Sequence, residues 1–258
     1  TFTDRLTDYF KHTAWNAMGT NTVDINNDGF NDIISLEMLP ETNKRKKTML
    51  AGNEYYNYFN SKRFNYSHQY VRNTLQINSG VTPAGHPVFS DIGYLSGVYQ
   101  TDWSWAPLVA DFDNDGLRDL IITNGLPRDV TDLDYIVFDN GQAGKGTATL
   151  AMTDSLPIVK IANYAFKNVN GLSFVDKSAE WGLDKASFSN GAAYADLDND
   201  GDLDVVVNNI NDPAFIFENT LNSPEQTNTE NFLSLILEGK GANIHGIGAT
   251  VRLYYDGK

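Results

Sequence analysis

Asp24-Ile-Asn-Asn-Asp-Gly-Phe-Asn-Asp32, Asp111-Phe-Asp-Asn-Asp-Gly-Leu-Arg-Asp119 and Asp196-Leu-Asp-Asn-Asp-Gly-Asp-Leu-Asp204 are three copies of one nine-residue pattern. Oxygen-bearing side chains fall at positions 1, 3, 5 and 9 of each copy. A hard cation such as Ca²⁺ takes six to eight oxygens at about 2.3–2.6 Å. A loop this short can present them only by wrapping sharply around the ion. The side chains at 1, 3 and 5 then point inward, and position 7 offers its backbone carbonyl. The glycine at position 6 (Gly29, Gly116, Gly201) has no Cβ to oppose a positive φ. The expected ligands are Asp24, Asn26, Asp28, Phe30 and Asp32 in the first loop, and Asp111, Asp113, Asp115, Leu117 and Asp119 in the second. In the third they are Asp196, Asp198, Asp200, Asp202 and Asp204. Phe30, Leu117 and Asp202 enter through the backbone, and the Asp202 side chain adds charge without being a ligand. An Asp/Asn/Gly turn without an ion is the plain alternative, which three copies in matching context weigh against.

An EF-hand opens in the same way, but needs a bidentate Glu at position 12 and a helix behind it. Position 12 here is Ser35, Ile122 and Val207, within apolar runs rich in β-branched residues: Ile33-Ile34, Leu120-Ile-Ile-Thr123 and Val205-Val-Val207. Such runs read as buried strands, so the ninth-position Asp closes each site and the loop joins two strands.

Working outward, the loops lie 87 and 85 residues apart, and more of the unit recurs. A short motif ending in Asn follows each loop: Thr74-Leu-Gln-Ile-Asn78, Tyr164-Ala-Phe-Lys-Asn168 and Phe215-Ile-Phe-Glu-Asn219. Two copies carry a further element, Phe89-Ser-Asp91 with Gly97-Val98 and Phe174-Val-Asp176 with Gly182-Leu183. Small-residue strands approach each loop over Ala17–Val23, Ala106–Ala110 and Gly191–Ala195. Four antiparallel strands per unit, in tandem, is the plan of a β-propeller blade, whose neighbours must stack to bury their faces. The expected fold is all-β: two full blades and three strands of a third over residues 1–222. A propeller needs about four to eight blades. The expectation is therefore an open arc, with the remaining blades supplied by other parts of a longer parent chain.

Insertions separate the second and third strands. The first, Leu39–Arg72, holds Lys44-Arg-Lys-Lys47, read as a solvated loop, and an aromatic cluster of Tyr55, Tyr56, Tyr58, Phe59, Phe64, Tyr66 and Tyr70. Packing of a short helix against the blades is the expected use of these rings, with sugar stacking the alternative. The second insertion, Asp129–Lys160, contains Gly141-Gln-Ala-Gly-Lys-Gly146, which does not match a phosphate loop and reads as flexible. Trp103 and Trp105 are expected in packing between blades. Residues 223–230 form a polar linker. Phe232–Leu237 and Ala249–Tyr255 then read as two strands beginning a small C-terminal β-module over 231–258.

The net charge is −14, but the loops hold three, four and five carboxylates, and three Ca²⁺ would bring it to −8. An acidic chain is a poor nucleic-acid binder, because that affinity comes from Lys and Arg neutralising phosphates. There is no cysteine, which excludes disulfides, thiolate metal sites and thiol nucleophiles. No apolar run has the length of a membrane helix, and no signal peptide is visible. Calcium loops of about 10⁻⁴–10⁻³ M affinity fill outside the cytosol, so an extracytoplasmic setting is expected.

On these residues the chain resembles FG-GAP/VCBS repeats, the calcium-loop blades of integrin-like propellers. Gly246-Ile-Gly-Ala-Thr-Val251 resembles the start of an ASPIC/UnbV domain, and the pair together resembles exported proteins of Bacteroidetes-type bacteria. The resemblance implies calcium and a surface location but no particular role. Catalytic patterns are scarce: His12, His68, His86 and His245 are scattered, and there is no Gly-x-Ser-x-Gly elbow. The expected function is a non-catalytic module binding protein or glycan. The alternative is a polysaccharide lyase or glycosidase fragment using Asp129, Asp132 or Asp134. Side-chain charge at positions 1, 3, 5 and 9 is −3 in the first loop and −4 in the others, which makes the first site the weakest.

Overall fold

The computed structural model describes residues 1–49, 55–142, 154, 156–223 and 232–254. It is predominantly β. In chain order the elements are α1 (Leu6–Tyr9), β1 (Thr13–Ala14), β2 (Thr20–Val23), β3 (Asp32–Ser35), α2 (Asn43–Thr48), α3 (Tyr55–Arg63), β4 (Gln69–Tyr70), β5 (Thr74–Val81), β6 (Pro87–Asp91) and α4 (Gly93–Ser96). There follow β7 (Ser104–Ala110), β8 (Asp119–Asn124), α5 (Leu133–Gln142), β9 (Tyr164–Asn168), β10 (Phe174–Asp176), β11 (Ser189–Ala195), β12 (Asp204–Asn209) and β13 (Phe215–Phe217).

The strands form three antiparallel meanders, ordered β2-β3-β5-β6, β7-β8-β9-β10 and β11-β12-β13, beside a small parallel pair, β1-β4. Each Asp-rich loop joins the first two strands of its sheet. The register is equivalent in all three: Val23 pairs with Asp32, Ala110 with Asp119, and Ala195 with Asp204.

Strand β8 shows why the sheets stack. All six of its residues are buried, and its side chains alternate between two cores. Leu120 and Ile122 join Ile25, Ile34, Leu75, Ile77 and Val98 of the first unit. Ile121 joins Leu183, Val205 and Val207 on the other side. Burying each such side chain is worth about 1.5–3 kcal/mol, and a lone sheet could bury only one face. The first strands lie closest together, with β7 beside both β2 and β11. Gly19 is required there, since a Cβ would lie 1.9 Å from the Trp105 carbonyl oxygen.

The Gly97-Val98 and Gly182-Leu183 repeats close each fourth-strand connection with left-handed glycines at φ 85° and 72°, and drop Val98 and Leu183 into the two cores. Trp103 is buried as expected, with Met38 and Met49, and Trp105 packs against that cluster. Three readings are corrected. Lys44–Lys47 is not a solvated loop but part of α2, whose Arg45 bridges Asp102 (3.0 Å) and Asp129 (2.6 Å). The rings on and just after α3 do not pack onto the sheets: Tyr55, Tyr56, Tyr58, Phe59, Phe64 and Tyr66 are all exposed. Finally, described residues 232–254 make turns and no strand. Without a sheet to pair with, a two-stranded hairpin is marginal in water. The linker, and residues 143–146 of the Gly-rich stretch, lie outside the described residues save Ser223.

Candidate metal centres

Each loop is built by its own side chains. Asp111 accepts the N–H of Asp115 (3.1 Å) and of Gly116 (2.9 Å), folding position 1 over positions 5 and 6. Asp24 does the same for Asp28 and Gly29, and Asp196 takes Gly201. The Asn at position 4 is left-handed in every copy: Asn27, Asn114 and Asn199 have φ of 60°, 57° and 64°. Asn tolerates this region better than most residues. Gly29, Gly116 and Gly201 follow at 89°, 90° and 94°. The position-7 residues Phe30, Leu117 and Asp202 donate their N–H to the position-5 carboxylate.

This winding brings the carboxylates at 1, 3 and 5 together. Asp111, Asp113 and Asp115 each place an oxygen within 4.8 Å of the others, as do Asp196, Asp198 and Asp200. These two Asp triplets could hold a metal ion. The first loop has the same winding but Asn26 at position 3, where its amide donates to Asp28 at 3.0 Å. Within the described loops, two buried carboxylate oxygens, Asp113 Oδ1 and Asp202 Oδ1, have no hydrogen-bond partner. Buried polar atoms are normally satisfied, and all-oxygen donor sets, with one such atom in the second loop and one in the third, fit a hard cation.

The ninth-position carboxylates are placed differently. Asp32, Asp119 and Asp204 are buried, and each binds two backbone N–H groups. One comes from loop position 2 (Ile25, Phe112, Leu197) and one from the Asn that ends the third-strand motif (Asn78, Asn168, Asn219), at 2.8–3.1 Å. The ninth Asp therefore latches its loop to the third strand and stands outside the Asp triplets. Burial, ahead of the charges of Asp113 and Asp115, pushes Asp119 up to about 7. Burial likewise raises Asp32 and Asp111, and with Asp200 beside it pushes Asp202 up to about 6.

The motif Asn residues do work that the sequence alone did not disclose. Asn168 donates to Ile25 O of the preceding loop (3.2 Å) and to Arg118 O of its own (2.9 Å). Asn219 repeats this with Phe112 O (2.8 Å) and Leu203 O (3.4 Å). From the other side, Asn27 reaches Gly116 O and Asn114 reaches Gly201 O. Adjacent loops are thus strapped in both directions. Arg118 adds a contact to Asp24 O at 2.6 Å. The recurrence of Asn at one place in the third-strand motif was the available signal. Its partner lies a whole unit away, so no local pattern gives it.

Two of the three residues considered for catalysis make structural contacts. Asp129 is buried, bound to Arg45, and accepts the Thr131 N–H at 3.0 Å. Asp132 accepts the Tyr135 N–H at 2.9 Å at the start of α5. No protein-family model matches the chain, and no curated protein matches it in sequence. Among the described residues no helix is long and apolar enough to cross a membrane.

Proposed function

We propose that the chain is a calcium-binding module of stacked FG-GAP/VCBS-type propeller blades, in which Ca²⁺ stiffens the loop end of each sheet. The observation that carries this reading is the convergence of acidic side chains in equivalent loops, in matching register, with two buried oxygens lacking a partner. The proposed ligands are Asp24, Asn26, Asp28, Asp32 and the Phe30 carbonyl, and Asp111, Asp113, Asp115, Asp119 and the Leu117 carbonyl. The third site takes Asp196, Asp198, Asp200, Asp204 and the Asp202 carbonyl. Each ninth Asp keeps lone pairs beyond those its N–H partners use. The affinities typical of extracellular calcium modules support a setting outside the cytosol. Its role there is non-catalytic binding of protein or glycan, without nucleic acid. The surface that supports binding is α3 with its exposed Tyr and Phe rings, set in a stretch, residues 55–90, with no Asp or Glu.

Calorimetric titration with Ca²⁺, with Mg²⁺ as control, tests the metal. Saturable binding that Asp196→Ala reduces by one site is expected. No calcium binding, or an equal response to Mg²⁺, would sink the reading. Incubation with a polysaccharide panel tests the role, and new reducing or unsaturated ends would show catalysis instead.

A further inference from the structure

Counting charges makes the second and third loops equal, yet their surroundings differ. Lys167, on β9, places its ammonium against the carboxylates of Asp113 and Asp115, the latter at 2.8 Å. That is two of the three side chains that converge in the second loop. The equivalent residue, one before the motif Asn, is Ile77 in the first unit and Glu218 in the third. Among the described residues, therefore, only the second loop has a cation paired with its acidic side chains, since Arg118 meets the first loop at the Asp24 carbonyl and not at a carboxylate.

The third loop departs in the opposite direction. Asp202 is 1% exposed. Its Oδ2 accepts the Asn222 N–H at 2.9 Å, while Oδ1 is buried without a partner. The Asp202 backbone N–H meets Asp200 Oδ1 at 3.1 Å. A buried carboxylate oxygen left without a partner is unfavourable unless a cation meets it. The corresponding residues Phe30 and Leu117 supply no side-chain oxygen.

We propose that two residues, each found in only one of the three units, set the order of calcium loading: Lys167 is a tethered counter-ion that competes with Ca²⁺ in the second loop, and the Asp202 carboxylate is an added ligand in the third. The third site fills first, the first site next and the second last. The second loop keeps its fold at low calcium because its carboxylates are already compensated. This order rests on the calcium reading, and it differs from the order that charge at positions 1, 3, 5 and 9 gives.

The test follows the backbone amide signals of Gly29, Gly116 and Gly201, one per loop, during calcium titration of the intact chain by NMR. In the wild type Gly116 should move last and Gly201 first. Lys167→Met should bring Gly116 into the range of the others, because removing a unit charge a few Å from a divalent ion raises affinity by roughly tenfold or more. Lys167→Arg, which keeps the cation, should titrate like the wild type. Asp202→Asn should weaken only the Gly201 transition, by roughly tenfold. In chelator the methionine variant should melt below the arginine variant. Lys167→Gln, purified in calcium, is titrated alongside so that a folding defect of Lys167→Met leaves the comparison intact. If the Gly116 midpoint coincides with the other two in the wild type and does not shift in Lys167→Met and Lys167→Gln, the inference fails while the calcium reading stands. If no glycine signal responds to calcium, both fall.

Discussion

At the residue scale, Glu37 is a buried carboxylate with no ion pair among the described residues. It is fully buried, and its partners are backbone N–H groups of Asn16 and Met38. Burial raises it above the ordinary Glu value. A carboxyl raised in the folded state favours folding while protonated. Its contribution is complete below the unfolded value, near 4.5, and is lost as pH rises through the folded one. Melting curves of the wild type and Glu37→Gln should therefore diverge with pH, the wild type losing ground to the variant from about pH 4.5 upward. A pH-independent difference would show that Glu37 does not titrate in this window. Gly116, at φ 90° in the second loop, gives a second residue-level expectation. Gly116→Ala forces an L side chain into the left-handed region and should cost about 1 kcal/mol or more, read from urea denaturation with and without calcium.

At the element scale, the asparagine straps join each third strand to the loop before it. Asn168 is fully buried, and its amide serves Ile25 O and Arg118 O, two loops at once. Asn168→Ala leaves those carbonyls and the Gly171 N–H without their partner, and each buried group left unsatisfied costs about 1–3 kcal/mol. Asn78 has the same place in its own sheet, but its amide reaches only Asn31 O of its own loop at 3.3 Å. Asn78→Ala should thus be the milder change. Equal losses in denaturation midpoint would mean that the bond between loops contributes nothing.

For the molecule as a whole, the sheets have no core of their own and share the cores between them. Leu120→Ala and Ile121→Ala remove neighbouring side chains of β8 that face opposite sheets. Each should cost about 2–5 kcal/mol. Their effects on hydrogen exchange should separate, with protection falling in β3 and β5 for the first and in β12 for the second. Identical protection maps would indicate one indivisible unit rather than stacked neighbours. Calcium acts on the same scale. An ion that binds only the folded loops stabilises by about 2.7 kcal/mol per site at a hundredfold excess over Kd, so the melting temperature should climb with calcium and drop on chelation.

The sequence by itself determined the units. β-branched runs and the Asp/Asn/Gly pattern are local, so the strands flanking each loop, the loop winding and the convergence of positions 1, 3 and 5 were legible. So was the three-stranded third sheet, since Phe215–Phe217 is followed by no further strand motif before the linker. Tertiary structure decided what depends on partners distant in the chain. It turned Arg45 from a solvated charge into a bridge between Asp102 and Asp129, 57 and 84 residues away. It left the α3 rings in water, because hydrophobicity does not say whether a surface exists to receive them. It placed Lys167 on carboxylates 54 and 52 residues before it. Spacing can show that a loop winds around a cation. Which cation sits nearest, a free ion or a tethered ammonium, depends on a side chain delivered by another strand.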